Sequence, residues 1–168
     1  MLWEVEIRPA AGQVDREGKR VLAECFGLGL QSVSTVEAAR SFILQGELSD
    51  DVVTRISRTL LADGVAESFS IHQLDAAAGG SSNGSNGGQL LNVLFKDGVT
   101  DNVANSALKA MKDQDVSVEA VATCRKYWVN DGASEAEIER LSAKVLSNDA
   151  IEHVVSGPLQ MDRISLGG

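Results

Sequence analysis

The side chains that could carry out acid–base, nucleophilic or metal chemistry are few in this sequence. It holds two histidines, His72 and His153, and two cysteines, Cys25 and Cys124, all far apart along the chain. A catalytic triad needs a histidine beside a nucleophile, and a zinc site needs several Cys or His ligands at short spacing. No such spacing occurs, so we expect no catalytic residues, no metal site and no cofactor.

The remaining candidates for reactivity have simpler explanations. Cys25 falls on the apolar face of a predicted helix, where a free thiol behaves as a small hydrophobic group. Cys124 precedes two cations that lower the pKa of a thiol, but it has no base near it in the sequence. The Gly-rich residues 79–88 are not followed by the Lys-Ser or Lys-Thr of a phosphate-binding loop. Two isolated cysteines indicate a reducing compartment, so we expect free thiols and a cytoplasmic protein.

Three cations inside apolar strand sequences are more unusual. Arg40 precedes Phe42 in one segment, and Arg125 and Lys126 precede Tyr127 in another. A cation within an apolar strand is costly unless it is paired. We therefore expect an ion pair, either between the two halves of the chain or with another protein, in preference to a substrate anion. The predicted partner-interface residues are Arg40, Phe42, Arg125, Lys126 and Tyr127.

A segment rich in Gly, Ser and Asn divides the chain into two parts, which must position these side chains. Residues 76–89 read AAAGGSSNGSNGGQ, a composition typical of a flexible linker. The predicted domains are therefore residues 1–75 and residues 90–160, followed by a tail at 161–168.

The two predicted domains share one order of elements: strand, helix, strand, strand, helix, strand. The central strands of this order are predicted at 32–36 and 39–44 in the first domain, and at 116–121 and 124–129 in the second. This order is that of the ferredoxin-like βαββαβ unit. The sequence thus predicts an α+β fold of two tandem ferredoxin-like units, each of two layers, arranged as a pseudo-two-fold pair. Alternating apolar residues indicate the first strand of each unit: Trp3, Val5 and Ile7, and then Leu91, Val93 and Phe95. Polar caps indicate the helix starts: Asp15 and Ser49, and then Asp101 and Ser134.

Both faces of the predicted central strands carry large apolar side chains, at 42–44 and again at 127–129. The helices of a two-layer unit cover one face of its sheet, so the second face needs another partner. We expect the two halves to bury these faces against each other and to leave part of the surface for another protein.

The composition is that of a globular protein. Of the 168 residues, 43% are hydrophobic and 23% are charged, which is too apolar for a disordered chain. The net charge of −9 disfavours binding to nucleic acids and to anionic membranes. The first residues alternate and carry acids, so we expect neither a signal peptide nor a transit peptide.

At several of these segments the sequence resembles the small subunit, PurS, of phosphoribosylformylglycinamidine synthase. That family has a turn before its first helix, a strand with a basic and aromatic pattern, and an apolar helix that runs into an acidic strand. The similar segments occur in both halves: residues 14–18, 36–44 and 60–67, and residues 98–101, 124–127 and 145–152.

The resemblance implies a protein without catalytic residues of its own. The small subunit of that family is a dimer that bridges the synthetase and glutaminase subunits in purine biosynthesis and helps to shape the path for ammonia between them. In long single-chain versions an N-terminal domain imitates this dimer with two linked units. The chain is similar to that arrangement, as a free double-length subunit or as a segment of a larger enzyme. Further homo-oligomerisation is compatible with either form.

A second hypothesis is a tandem ACT-type module, in which two ferredoxin-like units bind an amino acid at their shared interface and regulate an enzyme. A third and weaker hypothesis is an enzyme that acts through a pocket at such an interface.

Overall fold

The computed structural model describes residues 1–74, 88–159 and 164, and the mixed α+β character predicted from the sequence is confirmed in it. We refer to residues 1–74 as the first half and to residues 88–159 as the second half. Helices α2 and α4 each continue into one π-helical turn, Ser57–Leu61 and Ser142–Leu146. The elements in chain order are β1 (Leu2–Pro9), α1 (Arg16–Gly27), β2 (Val36–Gln45), α2 (Asp50–Ile56), β3 (Glu67–Gln73), β4 (Gln89–Phe95), α3 (Asn102–Asp113), β5 (Ala120–Val129), α4 (Glu135–Leu141) and β6 (Glu152–Ser156).

The described strands form one antiparallel sheet of six strands, in the order β3-β1-β2-β5-β4-β6. The halves meet at β2 and β5, which pair from Val36 opposite Val129 to Gln45 opposite Ala120. The expectation that the halves bury their sheet faces against each other is therefore wrong. They join edge to edge, because β2 and β5 offer each other a complete set of backbone hydrogen-bond partners.

Each half has three strands in the described residues, where the sequence predicted four. The two central strands expected in each half are one continuous strand, β2 or β5. A hairpin would need a turn residue such as Gly or Asn, and Glu37-Ala38 supplies none. Residues 32–35 instead form a loop, and the Asn130 side chain fixes its position. This side chain accepts a hydrogen bond from the backbone N–H of Ser34 at 2.8 Å and donates one to the Ser32 carbonyl at 2.9 Å.

The predicted helix starts are confirmed. Asp15 and Asp101 each accept a hydrogen bond from a backbone N–H of the first turn, at 2.8 and 3.0 Å, and so cap α1 and α3. Ser49 and Ser134 cap α2 and α4 in the same way. The Glu137 side chain, three residues after Ser134, does not complete a capping box, because it accepts from the backbone N–H of Ser32 in the first half.

All four helices lie on one face of the sheet, and they pack in pairs that cross the two halves. Helix α3 of the second half packs with the π-helical turn after α2 of the first half. Together they cover one core, to which Trp3, Val5 and Ile56 come from the first half and Met111 from the second.

The other helix pair has the reverse composition. Helix α1 of the first half packs with the π-helical turn after α4 of the second half. The core beneath them joins Val21 and Cys25 of α1 to Leu91, Tyr127 and Leu141. Neither half therefore has a hydrophobic core made of its own residues alone.

No helix covers the second face of the sheet in the described part of the chain. A smaller apolar cluster lies there, in which Leu2 and Ile43 contact Leu74, Leu159 and Ile164 from the segments that follow β3 and β6. Burial on this face therefore depends on the residues just beyond the two edge strands.

The predicted domain boundaries are described in part. Of the linker predicted at 76–89, the structure describes Gly88 and Gln89, and Gln89 already belongs to β4. The rest of that linker lies outside the described residues, as does the predicted tail at 161–168 except for Ile164. Within the described ranges, no helix has both the length and the apolar content needed to cross a membrane.

The shared cores predict that both halves unfold in a single transition. The chain has two tryptophans, Trp3 and Trp128, one in each half. A variant with Trp128→Phe reports on the first half by fluorescence, and one with Trp3→Phe reports on the second. Within each variant we expect the fluorescence midpoint in urea to equal the midpoint from circular dichroism of the whole chain, because neither core survives without the other half.

Truncation of a side chain in the shared core should lower the stability reported by both tryptophans to the same extent. Met111→Ala removes buried atoms from a core that contains Trp3, and we expect a loss of about 2–5 kcal/mol. The matched control is Val103→Ala in the same helix, which removes an exposed side chain and should change stability by less than about 0.5 kcal/mol. Separate midpoints for the two halves would contradict the shared-core arrangement.

Candidate functional site

Two arginines face each other at the centre of the sheet, on the face that carries the helices. Arg40 of β2 lies opposite Arg125 of β5. Their side chains are 43% and 38% exposed, on a sheet whose other central side chains are mostly buried. Like charges directly opposite each other on paired strands are destabilising, so each arginine needs its own compensation.

Each arginine is held by a carboxylate and a carbonyl of its own half. Arg40 binds both carboxylate oxygens of Glu67, with Nε at 3.2 Å and a terminal nitrogen at 2.8 Å, and it donates to the Leu61 carbonyl at 3.1 Å. Arg125 binds Glu152 at 2.6 Å and donates to the Leu146 carbonyl at 2.9 Å. These ion pairs lie within each half, so the expected pairing between the halves is not found for the arginines, and pairing with another protein stays a prediction.

Those carbonyls are available because they lie at helix ends. Leu61 and Leu146 are the last residues of the two π-helical turns, and the carbonyls at a helix C-terminus have no helical donor. Each arginine therefore ties the end of a helix to the first residue of the strand that follows it.

The carboxylates have further donors. Glu67 accepts from the backbone N–H of Asp63 at 2.9 Å, and Glu152 accepts from that of Asn148 at 3.0 Å. Burial acts to raise the pKa of Glu67, but the hydrogen bonds from Arg40 and Asp63 outweigh it and lower that pKa. The carboxylate therefore stays ionised and paired at neutral pH.

A cleft of about 580 Å³ opens beside the arginines, between the start of α1 and the start of β3. Arg40, Arg125, Glu17 and Tyr127 line it, with exposed Val14 at its mouth. We call this the polar cleft, because hydrogen bonds connect its side chains. Tyr127 donates to Glu17 at 2.7 Å and accepts from Arg125 at 3.0 Å.

Tyr127 is a buried phenol within this polar cleft. Burial, and then its donation to Glu17, raise the pKa of Tyr127 to about 12. The phenol therefore remains protonated at neutral pH and links helix α1 of the first half to strand β5 of the second.

A second cleft, of about 420 Å³, lies on the other side of the arginines, at the start of α3. It shares Arg40 and Arg125 with the polar cleft, and its other lining residues include Phe42, Phe95 and Val103 beside polar residues such as Thr100 and Asn102. We call this the apolar cleft, after Phe42 and Val103. The two clefts thus meet at the same pair of guanidinium groups.

The helix starts at these clefts already hold a carboxylate. Asp15 caps α1 with one oxygen and accepts from the backbone N–H of Ala38 with the other at 2.8 Å. Asp101 caps α3 and accepts from the backbone N–H of Thr123 at 2.9 Å. An anionic ligand would meet these aspartates rather than free N–H groups.

Lys126 lies on the opposite face of the sheet, where it forms a buried ion pair between the halves. Its Nζ is 2.7 Å from a carboxylate oxygen of Glu4, and both side chains are fully buried. The lysine reaches from β5 to β1 across β2, where the small side chains of Ala39 and Ser41 leave room. The expected pairing between halves is thus found at Lys126. On the same face, Arg8 of the first half lies 4.2 Å from the centre of the Trp128 ring.

The predicted interface residues therefore separate into two groups. Arg40 and Arg125 are accessible in the clefts. Phe42, Tyr127 and Lys126 are buried within the chain, and contact with a partner remains a prediction for all five.

The residues considered for chemistry are placed apart. Both cysteines are free and buried, and burial raises the pKa of Cys25 and raises that of Cys124 to about 12. His72 contacts Ser70 at 3.3 Å, and His153 is exposed on β6. Among the residues that the structure describes, no group of three or more His, Cys, Asp or Glu side chains could hold a metal ion.

The sequence reasoning missed four carboxylates that organise the site: Glu4, Glu17, Glu67 and Glu152. A signal existed for two of them, because Glu67 and Glu152 each follow their arginine by 27 residues. No spacing pointed to the contacts of Glu4 with Lys126 or of Glu17 with Tyr127, because these partners come from the other half.

Comparison of the chain with protein-family models and with curated proteins finds no match in either case.

The buried ion pair between Lys126 and Glu4 predicts that substitutions at these two positions have strongly non-additive effects on the free energy of unfolding. Lys126→Met leaves the Glu4 charge buried without its cation, which should cost about 3–5 kcal/mol of unfolding free energy. The double variant Glu4→Leu, Lys126→Met should cost much less than the sum of the single variants. Urea denaturation measures the cycle, with Arg20→Met in the exposed Glu17 pair as a control worth about 0–1 kcal/mol. Additive single and double variants would show that the pair is not coupled.

The two thiols should be unreactive in the folded protein. With a pKa of about 12, the Cys124 thiol is ionised in only about one molecule in ten thousand at pH 8, and the group is also buried. We expect no reaction with a disulfide reagent at pH 8 before urea unfolds the chain, and two thiols per chain afterwards. Fast labelling of Cys124 in the folded state would contradict the burial of this strand.

Proposed function

We propose that this chain is a non-catalytic bridging subunit of phosphoribosylformylglycinamidine synthase, built from two related ferredoxin-like units. It docks the synthetase and the glutaminase of that complex and so helps to form the path for ammonia between them. The sequence resemblance to the PurS subunit motivates this proposal. The geometry of the central arginines and of the two clefts supports it.

Equivalent contacts at one spacing support the idea of two related units. Arg40 with Glu67 and the Leu61 carbonyl corresponds to Arg125 with Glu152 and the Leu146 carbonyl, 85 residues later in each case. The capping aspartates Asp15 and Asp101 bridge helix and strand in the same way. Gly12 and Gly98 adopt φ of +84° and +85° in equivalent turns, where a side chain would be strained.

A pseudo-two-fold axis then passes between the two arginines. Equivalent residues of the antiparallel strands β2 and β5 are 85 positions apart. In the described pairing of these strands, Arg40 is the residue that lies opposite its own equivalent, Arg125. The axis relates the polar cleft to the apolar cleft, since each contains one capping aspartate, both arginines and one strand-start glutamate.

The observation that carries the proposal is the divergence of these two related clefts. At the corresponding accessible position the polar cleft has Glu17 and the apolar cleft has Val103; behind them, the buried Tyr127 corresponds to the buried Phe42. A symmetric pair would bind two copies of one partner, whereas a bridge between two different proteins needs two different surfaces. Exposed valines at both clefts, Val14 at 54% and Val103 at 59%, suit protein contacts.

The chemistry-bearing side chains of the site fit a docking role. Within the described residues, Arg40, Arg125, Tyr127 and Lys126 are engaged in contacts that hold strands and helices together. Acid–base catalysis requires a group with a pKa near neutrality that can reach a substrate, and Tyr127 is far from that condition.

An amino-acid sensor of the ACT type is the second candidate, and one observation favours it. The polar cleft holds Arg40 and Arg125 together with the Glu17 carboxylate, which could meet the two charged ends of an amino acid.

The test is capture of the synthetase and the glutaminase by the full chain, compared across three valine-to-glutamate variants. We expect Val103→Glu to weaken capture of one partner, and Val14→Glu to weaken capture of the other, each by at least about tenfold. Val65→Glu is the matched control, because Val65 is 85% exposed and lines neither cleft. All three changes are at exposed positions and should leave the fold intact.

Other outcomes separate the two candidates. Failure to capture either enzyme, together with a rise in melting temperature in an amino acid, would favour the sensor. Equal loss of both partners in one cleft variant would contradict the assignment of one partner to each cleft.

A further inference from the structure

The two edges of the sheet differ in how they are protected against pairing with another strand. An edge strand leaves a row of backbone N–H and C=O groups without partners, and proteins block such rows with proline, lysine or very short strands. The edge strands here are β3, with seven residues, and β6, with five.

Hydrogen bonds at both ends of β3 show which backbone groups point outwards. Leu74 donates to the Leu2 carbonyl, and Ala10 donates to the Ala66 carbonyl, so the even-numbered residues of β3 face β1. By the alternation of an antiparallel ladder, Phe69, Ile71 and Gln73 direct their backbone groups away from the sheet. No described strand pairs with this outer edge.

The corresponding edge of β6 is shorter and is followed by a proline. Gly157 donates to the Leu90 carbonyl, so Val154 and Ser156 point outwards before the strand ends at Gly157-Pro158. Pro158 lies 85 residues after Gln73, and it has no N–H to offer. Strand β3 contains neither lysine nor proline.

Strand β3 is also complementary to itself in the antiparallel direction. In a pairing centred on Ser70, Phe69 lies opposite Ile71 of a second copy, and Ile71 opposite its Phe69. Both side chains are partly buried on the helix-bearing face, and an aromatic residue opposite a β-branched one is a favourable cross-strand pair. The same residues then contact each other on both sides, as a two-fold interface requires.

Charge does not oppose this contact, although the chain carries a net charge of −9. Glu67 is the charged residue of β3, and its carboxylate is paired with Arg40. In the pairing centred on Ser70 it lies opposite Gln73, so no like charges meet along the strand.

We propose that the outer edge of β3 binds the β3 edge of a second copy of this chain, antiparallel and centred on Ser70, so that two sheets continue into one. The contact involves a single strand from each copy and is small, so the dimer should be a weak one.

Disulfide trapping tests the pairing and its register. In this register the two Ser70 residues form a pair without mutual hydrogen bonds, with Cα atoms about 4.5 Å apart, within reach of a disulfide. The control is Ser68→Cys on the same face of the same strand, because two Ser68 residues would be about 13 Å apart. We expect Ser70→Cys to give a covalent dimer under mild oxidation at least about tenfold faster than Ser68→Cys. The native thiols are buried and add little background.

Sedimentation of the unmodified chain provides the second measurement. We expect a monomer–dimer equilibrium near about 100 µM, and a monomer at the same concentration for Gln73→Pro. That substitution gives β3 the proline that follows β6 at the equivalent position, and it removes an N–H that points away from β1, so the melting temperature should be unchanged. A chain that stays monomeric, a Gln73→Pro variant that still dimerises, or equal trapping of the two cysteine variants would overturn the proposal.

Discussion

Burial of helix faces across the junction of β2 and β5 is the constraint on which the rest of this structure depends. Each half has two helices, yet each helix pair that covers a core takes one member from each half. Helix α1 packs on β2 of its own half, but part of its apolar face would reach water without the second half, and the same holds for α3 on β5. The edge-to-edge sheet is the arrangement that brings both pairs over a common face.

Polar contacts then specify how the junction is aligned. Lys126 reaches Glu4 across β2, and Tyr127 reaches Glu17 from β5, so each contact joins the two halves at one register. A shift of β5 by one residue would turn Lys126 to the helix-bearing face and leave Glu4 buried without its cation. The arginines act differently, since each closes its own half by tying a π-helical turn to the next strand.

Local features of this fold were predictable, and features that cross the halves were not. The caps Asp15, Asp101, Ser49 and Ser134 were found from the sequence because a cap acts within one turn of helix. The cationic residues at 40 and 125 stood out because their neighbours are apolar. The three-stranded halves were missed because two adjacent apolar segments read equally well as a hairpin or as one long strand. The partners of Glu4 and Glu17 were missed because they lie more than one hundred residues away.

The sequence by itself determined the types of element, the helix starts and the unusual placement of cations in strands. These follow from periodicity and from side chains that act on their near neighbours. Only the tertiary structure decided that the halves share two cores, that Arg40 meets Arg125, and that a cleft opens on each side of the two arginines. Strand pairing at long separation sets these features, because the backbone hydrogen bonds of a strand are the same for every sequence and the choice of partner rests on what both faces can bury.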